Sequence, residues 1–210
     1  MSQKPVIEKV ENINTNTKFI GLQTLHWRDQ EGKQRKWENA YRTTRSEGGV
    51  DAVSIAAVLK YKNSTKPSDV ILVEQYRPPV DSNVIEFPAG LIDKEGESAV
   101  QAAIRELREE TGYQGDSIRV IDESPVVAND PGMSNANMKS VTIVVDDIDE
   151  NAPPPLQELD DGEHIVRHLV PLKDLHKKIL EFSAEGKIVD ARLSHLGIGL
   201  DLAQNASTLF

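Results

Sequence analysis

The chain has 210 residues, 38% hydrophobic and 28% charged, with a formal net charge of -10 and no cysteine. Such a composition suits a globular protein with one sizeable core, or one core and an extension. It excludes disulfides, thiolate metal sites and cysteine nucleophiles, and its acidic balance argues against a nucleic-acid surface, which needs a basic footprint.

Residues 1–17 are polar and are expected to start loosely. Lys18 to Trp27 reads as a strand, Arg28 to Gly32 as a turn, and Lys33 to Thr44 as a second strand, together a hairpin. Glu47-Gly48-Gly49 marks a boundary between an arm, residues 1–48, and a main domain, residues 49–210. Two apolar runs, Ala52 to Leu59 and Val70 to Tyr76, read as buried strands around a polar loop. Val84 to Phe87 is a short strand that ends at Pro88. Ser98 and Gln101 form an S-x-x-Q capping box that opens a helix. Val100, Ala103, Ile104 and Leu107 recur at helical spacing as its core face, with its glutamates beside that stripe.

Further strands are expected at Ile118 to Ile121, Pro125 to Ala128 and Lys139 to Val145. Asp146 to Pro155 is an acidic, proline-rich loop, and His164 to Val170 a strand. Helices follow from Pro171 to about Glu185 and from about Asp190 to Ala203. This order of elements points to a mixed α/β layer fold. No apolar run can span a bilayer, and the first residues lack the apolar stretch of a signal peptide. A cytoplasmic location is expected, with the nucleus also open.

The central helix places Glu106, Glu109 and Glu110 on one side, behind a loop that carries Glu97. Like charges at such spacing repel, and a hard divalent cation is the usual reason to gather them. Glu106 and Glu110, four apart, are the candidate direct ligands, and Glu109 is a further one, direct or through water. Alone, the run Arg105 to Glu110 favours a solvated face with an Arg105–Glu109 pair. The five histidines show no metal spacing.

The segment GLIDKEGESAVQAAIRELREETGY resembles the Nudix box, G-x5-E-x7-R-E-U-x-E-E-x-G-U. Arg105, Glu106, Leu107, Glu109, Glu110, Gly112 and Tyr113 match in register, and Glu97 stands at the expected distance before Arg105. One departure exists: six residues, not five, separate Gly90 from Glu97, the extra one in the loop from Asp93 to Gly96. The resemblance implies the Nudix α/β/α sandwich with a mixed sheet, preceded by the N-terminal β-hairpin arm. It also implies hydrolysis of a diphosphate linkage with Mg2+, or alternatively Mn2+. Ala89 would add a backbone carbonyl to the metal ligands, and Arg105 would orient a box glutamate.

Outside the box, Trp37-Glu38-Asn39-Ala40-Tyr41-Arg42 looks like the W-E-x-x-x-R segment of ADP-ribose pyrophosphatases. Gln75 to Pro79, Glu86 to Gly90, Asp130 to Asn135 and Asp161-Gly162-Glu163 extend that likeness. It implies cleavage of ADP-ribose to AMP and ribose 5-phosphate. Trp37 would stack on adenine, with Phe19 as a second face, and Glu38 would accept from the adenine amino group. Arg42 and Arg77 suit phosphate oxygens, Leu91 would contact the substrate, and Asp130 and Met133 would line the terminal ribose pocket. Glu163 would reach the metal site and join Glu109 and Arg105 as the catalytic group; by itself it reads equally as a solvent-facing acid. The likeness further implies a homodimer with an exchanged N-terminal arm. Other ADP-sugars, oxidised nucleoside diphosphates, or a nucleotide-binding module without hydrolysis are the alternatives.

Overall fold

The computed structural model describes residues 6–13 and 16–206. They form two compact units. One contains the described residues up to Ala52 with Leu91–Glu97 and Pro125–Lys139, and the other contains Val53–Gly90, Ser98–Ser124 and the described residues from Ser140 onward.

In the first unit, β1 (Val6–Ile13), β2 (Ile20–Arg28) and β3 (Gln34–Arg42) form an antiparallel sheet in that order. β2 and β3 are the expected hairpin, closed by a turn in which Asp29 accepts from the Lys33 and Glu31 N–H groups. β1 corrects the expectation of a loose start over residues 6–13, while residues 1–5, 14 and 15 lie outside the described residues. Its residues are all exposed, so burial left no mark on its sequence. The register pairs Val10 with Leu25 and Leu25 with Trp37, so these three share one face. Glu11, Thr24 and Glu38 share the other. Asn137 and Met138 pair with β9 (Val127–Ala128).

The second unit is built on a mixed sheet. Its main strands are β4 (Ala52–Tyr61), β5 (Asp69–Arg77), β6 (Ser82–Glu86), β8 (Ile118–Glu123) and β10 (Asn137–Ile148). They run in the order β6-β5-β4-β10-β8. β7 (Ala89–Leu91) joins β4, β11 (Val166–Pro171) joins β5, and β12 (Ile188–Val189) joins β6 in parallel. β7 and β12 are too short to show a period in the sequence. β10 runs through Ile148, so the acidic loop starts later than expected. Pro171 ends β11 and leads through a short 3-10 turn into α2 (Leu175–Ala184), rather than opening the helix itself.

The apolar runs of β4 and β5 are the core: Val53, Ile55, Leu59, Ile71 and Leu72 are fully buried. Each such side chain contributes roughly 1.5–3 kcal/mol. Val70, Leu72 and Ile85 pack with Leu175, Ile179 and Phe182 of α2 and Leu193 of α3 (Ala191–Gln204). Alternation along β11 turns His168 towards Phe182, ring centroids 5.0 Å apart, and Arg167 towards the opposite layer, where it meets α1 (Ala99–Thr111).

The capping box opens α1 as expected: Ser98 Oγ accepts from the Gln101 N–H and Gln101 Oε1 from the Ser98 N–H, at 3.2 and 2.9 Å. Its buried face is Ala99, Ala102, Ala103, Leu107 and Glu110, whereas Ile104 is exposed. The apolar stripe is thus turned from the expected one, and Glu110 lies on it rather than beside it. Small alanines let the helix sit close to the sheet, and a larger aliphatic residue is left outside.

Candidate functional site

Two neighbouring elements of the second unit bring the acids together. Gly90, in β7, faces α1 so closely that a Cβ there would lie 1.9 Å from Glu106 Cδ. Only glycine leaves room for that carboxylate. One turn on, Glu110 Oε2 accepts from the Ala89 N–H at 3.0 Å. Arg105 Nη1 donates to Glu106 Oε1 at 2.6 Å and to Glu109 Oε2 at 3.0 Å. Glu163 is exposed in the turn before β11, where its carboxylate accepts from the Asp160 N–H.

Burial sets the electrostatics. It pushes the Glu110 carboxyl up to about 8, against the Ala89 N–H, and the charges of Glu106, Glu163 and Glu86 push the same way. Burial also raises Glu106, with Arg105 opposing and Glu109 and Glu163 adding repulsion. Among the described residues, no three Asp, Glu or His side chains stand close enough to hold an ion as arranged. Arg105 instead supplies positive charge to two of the acids. The donor set still fits a hard cation: desolvated carboxylate oxygens that repel one another beside a backbone with no side chain in the way.

Arg77 ends β5, and its Nε donates to Glu86 Oε1 at 2.7 Å. Glu86 is buried, so it fixes the guanidinium while leaving the rest of the fork available. Glu86 has no role among the sequence expectations, although it opens the run Glu86 to Gly90. Gln157 and Arg167 were also missed. Both act through backbone carbonyls, which leave no spacing signal.

The remaining expected residues belong to the first unit. Trp37 is half exposed, and its Nε1 donates to the Gly132 carbonyl at 3.2 Å. Ala40 N–H donates to the Met133 carbonyl, and the Met133 N–H to that of Asp130, so the loop of Asp130 and Met133 is tied to β3. Trp37 and Glu38 point to opposite faces of the strand. Glu38 and Arg42 share a face with Thr24 and Ile20. Phe19 is exposed beside Lys18, whose Nζ is 5.0 Å from its ring, and Leu91 closes β7 half buried. A hub outside the expectations holds the loop. Arg45 grips the buried Asp51 carboxylate twice at 2.8 Å and reaches the Asn135 carbonyl, while the Asp51 N–H donates to Asn137 Oδ1 and the Asn137 N–H to Asp51 Oδ2.

Comparison with known proteins agrees with this geometry. The NUDIX domain profile matches residues 50–191. An ADP-ribose pyrophosphatase of Saccharomyces cerevisiae is 44% identical over 191 residues, covering 90% of this chain and 80% of the relative. An ADP-sugar pyrophosphatase of Mus musculus is 37% identical over 196 residues, covering 93% and 87%. A crystal structure of an ADP compounds hydrolase superposes with a TM-score of 0.63 at 21% identity, covering 100% of this chain and 98% of the other, a likeness of fold. A glycine that admits a glutamate, a capped helix carrying three acids and these matches together place the chain in the Nudix hydrolase family.

Proposed function

We propose that the protein hydrolyses ADP-ribose to AMP and ribose 5-phosphate with Mg2+. The observation that carries this reading is the packing of Glu106 and Glu110 against Ala89 and Gly90, in a chain whose yeast relative is named for that substrate. Glu106, Glu109 and Glu110, with the Ala89 carbonyl and Glu163, would hold the ion. A divalent ion held there, Mg2+ or alternatively Mn2+, would supply positive charge to the diphosphate oxygens and to a water. Arg105 orients Glu106 and Glu109, and Glu163 accepts a proton from the attacking water. Arg77, its Nε anchored on Glu86, offers its remaining donors to phosphate oxygens. Trp37 is the adenine platform, with Phe19, Glu38, Arg42, Leu91, Asp130 and Met133 as further substrate contacts.

The protein acts as a homodimer with an exchanged arm. Trp37 and the Asp130–Met133 loop, assigned to opposite ends of the substrate, touch within one chain. The platform of one subunit then serves its partner. Incubating the purified protein with ADP-ribose and Mg2+ should release AMP. No release above a Glu110→Gln control rejects the reading. The name of the mouse relative favours a broader range of ADP-sugars as the second reading, and a panel ranked by kcat/KM separates the two. We further propose a cytoplasmic location.

A further inference from the structure

The last four carbonyls of a helix have no partner within it. In α1 each finds one. Arg108 O accepts from the Gly112 N–H at 2.7 Å and Glu109 O from the Glu158 N–H at 2.9 Å. Glu110 O accepts from Gln157 Nε2 at 2.6 Å, and Thr111 O accepts from Arg167. Three of the four partners thus come from one stretch, residues 157–167. The same donors close that stretch on itself: Arg167 also donates to Pro155 O at 2.9 Å and Gln157 to Ile165 O at 3.2 Å. Glu163 lies inside the loop so closed. Gly112 lets the loop pass, since a Cβ there would meet Leu156 O at 2.3 Å. Arg167 is half buried, its guanidinium 5.6 Å from the Tyr113 ring, and a cation at a helix C-terminus is favourably placed.

We propose that Arg167 and Gln157 are positioning residues: they clasp the C-terminal turn of α1 to the loop of Glu163, and so set the arrangement in which Glu109, Glu110 and Glu163 take a divalent ion. The inference rests on the metal site of the proposed function. Neither residue touches the substrate or the ion; each acts by fixing backbone that carries an acid. Arg167 Nη1 donates to both carbonyls, and an apolar side chain leaves Thr111 O and Pro155 O without their donor. Outer residues that orient metal ligands typically change metal affinity by about tenfold or more.

The test is Mn2+ binding without substrate, followed by the electron paramagnetic resonance signal of free Mn2+. Arg167→Met and Gln157→Leu should each weaken binding by about tenfold, and Arg167→Lys should recover part of the loss. A purely structural clasp would lower the melting temperature but leave the affinity of the folded protein unchanged. Gln157→Leu removes only a neutral donor and carries the test if Arg167→Met fails to fold. If Glu110→Gln abolishes binding while Arg167→Met and Gln157→Leu bind as the wild type, the clasp is overturned and the metal site stands. If Glu110→Gln binds as the wild type, the metal site is overturned and the clasp with it.

Discussion

Replacing Glu110 by glutamine keeps the shape of the side chain and its acceptor for the Ala89 N–H but removes its charge. In the metal-free fold the carboxyl titrates at about 8 rather than at its ordinary 4.5, chiefly because it is buried. The folded protein therefore keeps a proton that the unfolded chain releases, and stability falls as pH rises between those two values. Below the lower value both states are protonated and the carboxyl has no effect. Above the upper value the full difference applies, roughly 5 kcal/mol, and near pH 7 it is about 3 kcal/mol. Glu110→Gln lacks this dependence, and it also relieves Glu106 of a repelling neighbour, which acts in the same direction. In a chelator, urea denaturation should show the variant close to wild type near about pH 4.5 and more stable by several kcal/mol at about pH 9. Adding Mg2+ should restore the wild type and leave the variant unmoved. Denaturation midpoints that track each other across this range in the chelator would refute the argument.

Gly90→Ala forces Glu106 aside and should lower kcat/KM on the order of 100-fold, measured by AMP release. Asp51→Ala leaves Arg45 without its carboxylate and should cost about 3 kcal/mol in urea denaturation. Burial pushes Asp51 up, but Arg45 and the Asn137 N–H outweigh it and hold the carboxyl below 3.8. Its stabilisation is present above that value and is lost as pH falls through the folded pKa, so variant and wild type should converge in acid. Ser98→Ala removes one half of the capping box and should cost about 1 kcal/mol, read as a lowered Tm.

The parts of the fold that the sequence reveals are those where burial repeats with a period. The apolar runs of β4 and β5 and the S-x-x-Q cap of α1 are read within a few residues of their true limits. β1 escapes because an exposed strand needs no alternation, and β12 because two residues hold no period. The orientation of α1 escapes because alanines bury as well as larger residues when a helix sits close to a sheet. At the site, charge spacing pointed to Glu106, Glu109 and Glu110. The glycine-to-glutamate contact came only as part of a motif, and the Arg167 and Gln157 bonds not at all, since a carbonyl acceptor can belong to any residue.

The capping box at Ser98 divides the chain into a stretch that tolerates changes of length and one that does not. Upstream, the turn from Lys94 to Glu97, with Gly96 at φ +72°, is a loop in which an added residue costs little. Downstream, each inserted or deleted residue would swing everything beyond it by about 100° around the helix axis. Glu110 would then leave the sheet-facing side for water, and Ala89 would lose its acceptor. Relatives of this protein should accordingly vary in length before the serine and keep a fixed count after it.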